Sequence, residues 1–96
     1  MARPGFSKLN PLGYAQITGI SSAVLVPNVP AGTVAFSLQA NGASIRWRAD
    51  GTNPTATVGM LVHNNMAAEF YRFAPTQLRV IETTPTGNVN ITFYGE

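Results

Sequence analysis

Ninety-six residues make one small domain, with 10% charged and 45% hydrophobic side chains; the chain is neither disordered by composition nor long enough for two cores. The absence of cysteine excludes disulfides, thiolate nucleophiles and thiolate metal ligands. The formal net charge of +2 sits in Arg3 and Lys8, because from Leu12 onward Arg46, Arg48, Arg72 and Arg79 balance Asp50, Glu69, Glu82 and Glu96. So small an excess makes no nucleic-acid footprint, and a near-neutral body repels its own copies weakly, which favours association.

Residues 1–11 read as an extended, basic N-terminal arm, since Pro4, Gly5 and Pro11 oppose regular structure. Phe6 and Leu9 point to docking, because a purely solvated tail rarely carries such side chains. The segment lacks the apolar core of a signal peptide, so synthesis in a cytoplasm is expected. No run approaches the ~20 apolar residues of a membrane-spanning helix.

Residues 12–96 read as a β-domain. Gly13–Ile20 alternates Tyr14, Gln16 and Thr18 against Ala15 and Ile17. Ala23–Val26 is a short apolar run closed by Pro27, Asn28 and Pro30. Thr33–Ala40 is the clearest strand, with Val34, Phe36, Leu38 and Ala40 on one face and Ala35, Ser37 and Gln39 on the other. Asn41-Gly42 is a hairpin signal, which makes Ala43–Ala49 the partner strand, with Ile45 and Trp47 inward and Arg46 and Arg48 outward.

A threonine-rich turn follows, and then strands at Val58–His63, Ala67–Phe73, Gln77–Glu82 and Asn88–Tyr94. The best helix candidate, Asn65–Tyr71, is too short to stand alone. About eight short antiparallel strands with no convincing helix predict an all-β fold, a jelly-roll or immunoglobulin-like β-sandwich.

Little in the chain suits catalysis. His63 is the one histidine, and it reads as a strand-end residue rather than a general base. No serine lies in a Gly-x-Ser-x-Gly turn. Asp50-Gly51-Thr52-Asn53 lacks the alternating acids of a calcium loop. No metal or cofactor is expected.

Arg46-Trp47-Arg48 does not interleave base and aromatic, because alternation puts the tryptophan on the opposite face. The two arginines are expected to pair Glu69, Glu82 or a neighbouring subunit. In Glu69–Phe73 both faces are bulky, Phe70 and Arg72 on one and Tyr71 and Phe73 on the other. That pattern points to an interface or to an aromatic platform for sugar.

The segments Val34–Met60 and Leu78–Gly95 resemble a family of small structural proteins of tailed bacteriophages. In that family a strand carrying Ile/Val-Arg-Trp/Tyr-Arg runs into Asp-Gly-Thr-x-Pro-Thr-Ala-Thr-x-Gly. The matching positions are Ile45, Arg46, Trp47 and Arg48, then Asp50, Gly51, Thr52, Pro54, Thr55, Ala56, Thr57 and Gly59. The likeness covers roughly Ile17–Gly95 and departs at Val62–Glu69, where His-Asn-Asn-Met stands.

The resemblance implies a non-enzymatic virion structural protein. The expected role is a capsid decoration or cement protein on the capsid exterior. Its partners would be the major capsid protein and, as a dimer or trimer, itself. Expected contact residues are Arg3, Phe6, Lys8 and Leu9 of the arm and Arg46, Arg48, Tyr71 and Arg72 of the body. One alternative is a head–tail connector, tail or fibre component. Another is a carbohydrate-binding module using Tyr71, Tyr94 or Trp47.

Overall fold

The computed structural model describes residues 8–96. The expected arm contacts Arg3 and Phe6 therefore lie outside the described residues. The chain forms β1 (Asn10–Ile17), β2 (Val24–Leu25), β3 (Thr33–Asn41), β4 (Ile45–Arg48), β5 (Met60–Val62), β6 (Glu69–Tyr71), β7 (Arg79–Glu82) and β8 (Asn88–Gly95). No helix occurs among the described residues; Asn65, which opens the stretch that came nearest to a helical pattern, takes a left-handed φ of 62°.

The strands form two antiparallel sheets, in the orders β1-β8-β3-β6 and β2-β7-β4-β5. Each strand of the first half pairs with its mirror in the second: β1 with β8, β2 with β7, β3 with β6 and β4 with β5. β3 also pairs with β8, and β4 with β7.

The core follows from period-two patterning. Val89, Ile91 and Phe93 of β8 are buried, and the residues between them are not. With Phe36 and Leu38 they face Ile45, Trp47, Val62 and Val80 of the second sheet across one apolar layer, the arrangement of a β-sandwich. Each such side chain contributes about 1.5–3 kcal/mol by leaving water. Ile20, past the end of β1, is fully buried, and its carbonyl accepts the Glu82 amide at 2.9 Å.

Three expectations need correction. Asn41-Gly42 closes no hairpin, because β3 and β4 lie in different sheets. A type I′ turn needs positive φ at both central residues, and only Gly42 has it, at 82°. The chain instead arches from one sheet to the other, since both strands carry an apolar face that must be buried from opposite sides of the core. A Cβ at Gly42 would sit 2.5 Å from the Thr86 carbonyl oxygen, so the arch needs glycine for space as well as for φ.

Second, the register shifts between Thr33 and Ala35. Val34 is therefore only half-buried and Ala35 joins the buried set, contrary to simple alternation. Third, β1 starts at Asn10, upstream of the expected Gly13. Asn10 and Pro11 pair with Gly95 and Tyr94. Proline is tolerated there because β1 is an edge strand and its outer side needs no N–H.

Candidate interaction surfaces

The outer face of the second sheet carries three arginines, and each holds the loop that crosses it. Arg46 donates from Nε to the Ala56 carbonyl at 3.1 Å and from Nη1 to the Gly59 carbonyl at 2.9 Å. Arg48 forms an ion pair with Asp50, whose carboxylate also accepts the Thr52 amide at 3.3 Å. The Arg48 hydrogen bond holds the Asp50 carboxyl below its usual range and raises the guanidinium. Arg79 donates to the Asn53 side-chain oxygen at 2.9 Å.

Inside the loop, the Thr55 and Val58 backbones bond reciprocally. The Thr55 hydroxyl accepts the Val58 amide at 3.0 Å, a local threonine turn. Pro54 is buried, and a Cβ on Gly59 would meet it at 3.1 Å. The Ile-Arg-Trp-Arg and Asp-Gly-Thr-x-Pro-Thr-Ala-Thr-x-Gly stretches thus act as one unit, a loop clamped to a strand.

The expected pairing of Arg46 and Arg48 with Glu69 or Glu82 is not what forms. Glu69 accepts instead from the Tyr71 hydroxyl, and Glu82 accepts the Gly87 amide at 3.2 Å. The reason is topological: β4 and β6 lie in different sheets, Glu82 of β7 stands opposite the inward Ile45 rather than on the face of the arginines, and the loop after β4 folds back within reach of its own arginines.

An apolar rim runs along one side of the molecule. β5 and β6 are the terminal strands of their sheets. Val58, Met60, Leu61, Met66, Phe70 and Phe73 are exposed on or beside them. Behind the rim lies an aromatic cluster. Tyr71 packs at ring-centroid distances of 5.4 Å from Phe36 and 5.1 Å from Trp47, and Phe73 meets Phe36 edge-on at 5.1 Å. Burial, reinforced by the Glu69 hydrogen bond, pushes the Tyr71 phenol up to about 12. An open groove of about 410 Å³ runs beside the rim, lined by Trp47, Arg48, Asp50, Val58, Gly59 and Met60.

No protein-family model, curated protein or solved structure matches the chain.

The expected contact residues fall in separate places. Lys8 is exposed and Leu9 half-buried ahead of β1, on the edge away from the rim. Arg46 and Arg48 clamp the loop. Tyr71 is half-buried in the aromatic cluster, and Arg72 is exposed just past β6. His63 is exposed after β5. Trp47, at 8% exposure, belongs to the core. Alternation alone did not single out Val58, Met60, Leu61 and Met66, because their exposure depends on β5 being an edge. Nor did it single out Asn53 and Arg79, which meet only when the loop crosses the sheet.

Proposed function

We propose that this chain is a non-enzymatic structural protein of a tailed-bacteriophage virion, a capsid decoration protein of jelly-roll topology that binds the outer shell and stabilises neighbouring capsid subunits. The observation that carries this reading is the strand pairing. Pairs β1·β8, β2·β7, β3·β6 and β4·β5 are those of one long antiparallel hairpin rolled over itself, which is how an eight-stranded jelly roll is made. In an immunoglobulin-like sandwich the first two strands share a sheet, whereas here β1 and β2 lie in different sheets. Jelly rolls recur in viral capsid domains.

Two further features favour assembly. The stretch that resembles the phage family builds a loop clamped by arginines, Arg46 on backbone carbonyls and Arg48 and Arg79 on loop side chains, a device for rigidity. The apolar rim offers an edge suited to a neighbouring subunit, since exposed edge strands with large apolar side chains tend to acquire partners. Weak contacts repeated around a shell reinforce one another, and they stabilise the assembled lattice by mass action.

Copy number tests the reading. Virions from a lysate of the source phage are banded by density, and the chain is quantified against the major capsid protein. Hundreds of copies per particle are expected. About a dozen or fewer would favour a head–tail connector, tail or fibre component, and absence from the particle would refute a virion role.

A further inference from the structure

The outer face of the first sheet differs in kind from that of the second. Register aligns Tyr14, Thr92, Ser37 and Phe70 in one row across β1, β8, β3 and β6. Tyr14 and Phe70, at the two ends, are 63% and 52% exposed, while Thr92 and Ser37 between them are short and hydroxylated. Three inter-strand spacings set the ends about 14 Å apart. Tyr94 flanks the Phe70 end, its ring edge-on at a centroid distance of 5.8 Å.

The adjacent row is Gln16, Asn90 and Gln39, all amides and all tied together. Tyr14 donates to the Asn90 side-chain oxygen at 2.7 Å, and Gln16 donates to the same atom at 3.3 Å. Asn90 donates to the Gln39 oxygen at 3.4 Å, and Gln39 donates to the Met66 carbonyl at 3.3 Å. Each amide has two N–H donors and an oxygen with two lone pairs, so the ladder holds its members in place and leaves donors and acceptors facing solvent.

None of these side chains is charged. The other sheet, by contrast, carries Arg46, Arg48 and Arg79 on its outer face. The row and the ladder hold no cation, and Arg72, exposed just past Phe70, stands only at their border; such a site repays neither a phosphate backbone nor an anionic headgroup. What it complements is a neutral ligand with apolar faces to stack on aromatic rings and many hydroxyls to bond to amides.

We propose that this face is a binding site for a neutral oligosaccharide, which lies along the Tyr14–Thr92–Ser37–Phe70 row with its hydroxyls on the Gln16–Asn90–Gln39 ladder. The two aromatic ends grip the apolar faces of sugar rings, and the short hydroxylated middle leaves room for the chain between them. The fixed ladder lowers the ordering cost of binding. The site does not involve Trp47, which lies in the core, or Tyr71, which packs half-buried against it, and it does not depend on the virion reading.

The test is a printed array of neutral oligosaccharides (α- and β-linked glucans, mannans, galactans and N-acetylglucosamine oligomers) with their sialylated and sulfated counterparts, probed with the full chain. Hits are then measured by calorimetry with the same oligosaccharide. Binding to neutral members, reduced about three- to tenfold by each of Tyr14→Ala and Phe70→Ala and unchanged by Val58→Ser on the rim, supports the proposal. Both aromatic positions are exposed, so either variant can be checked for a native melting curve, and each serves as the reserve for the other. No binding at millimolar ligand, preference for the charged members, or indifference to both substitutions overturns it. Attachment to virions that fails in Tyr14→Ala without any glycan binding would make the face a protein interface and would also overturn it.

Discussion

Replacing Arg46 by Met removes the fork that holds the Asp50–Gly59 loop but keeps the aliphatic stem. Two hydrogen bonds are lost, from Nε to the Ala56 carbonyl and from Nη1 to the Gly59 carbonyl. Charge-assisted bonds contribute about 1.5–3 kcal/mol each when shielded. The Arg46 side chain is half-buried and the Ala56 bond faces water, so screening reduces each to roughly 0.5–1 kcal/mol. The expected loss is about 1–2 kcal/mol, which for a domain of this size lowers Tm by roughly 4–15 °C.

Urea unfolding measures the loss, with m unchanged if only the native state is affected. Amide hydrogen exchange supplies the local readout: Val58, whose amide is held by Thr55, should exchange faster by more than the global destabilisation accounts for. Arg46→Lys keeps the charge but not the planar two-donor geometry, and it should recover less than half of the loss. A change under about 0.3 kcal/mol, within the scatter of ordinary surface substitutions, with Val58 exchange untouched would refute the clamp. Arg46 would then be a surface arginine awaiting an external carboxylate.

Four other outcomes are expected. Gly42→Ala forces a Cβ against the Thr86 carbonyl at a left-handed φ; it should cost about 2–4 kcal/mol in a urea melt from the positive-φ penalty and the overpacking, and a loss under 1 kcal/mol would mean that the arch relaxes freely. Phe36→Ala, in the middle of the core, should cost about 3–5 kcal/mol, read as the shift in urea midpoint. Tyr71, whose phenol titrates at about 12 in the folded chain against about 10 when unfolded, retains its proton more tightly when folded; its contribution is complete below pH ~10 and lost as pH rises to ~12, so alkaline melts should lose stability across that window in the wild type and less in Tyr71→Phe. Deleting residues 2–9 leaves β1 and its pairing with β8 whole and should leave Tm within about 2 °C, and under the proposed decoration role it should abolish binding to capsid shells; retained binding would remove the N-terminal segment from the proposed contact.

Much of the secondary structure was legible from local chemistry. All eight strands overlap the expected runs, which Gly, Pro and Asn residues separate; the period-two pattern is clear in β3, β4 and β8, whereas β2, β5 and β7 are short apolar runs. Ile45 and Trp47 point inward and Arg46 and Arg48 outward, as alternation requires, because a pleated strand offers no other arrangement. The motif running from Arg46 to Gly59 was visible as a unit, but its purpose was not. Its bonds join a side chain to carbonyls ten and thirteen residues away, and only the path of the loop brings them together.

Strand partnership was what the tertiary structure decided. Asn41-Gly42 carries a local turn signal, yet the residues it joins belong to different sheets, because burying two apolar faces outweighs the preference of one dipeptide. The same long-range pairing makes β5 and β6 edges and so exposes Met60, Leu61 and Phe70. It also gathers Tyr14, Thr92, Ser37 and Phe70, residues from four distant segments, into one row. The sequence by itself determined which residues face in and which face out along regular stretches such as Ile45–Arg48 and Asn88–Gly95, since that follows from a two-residue period, but not at the Val34–Ala35 register shift or on β5. Which of the outward residues become neighbours depends on strand order, and strand order is settled only when the whole chain closes its core.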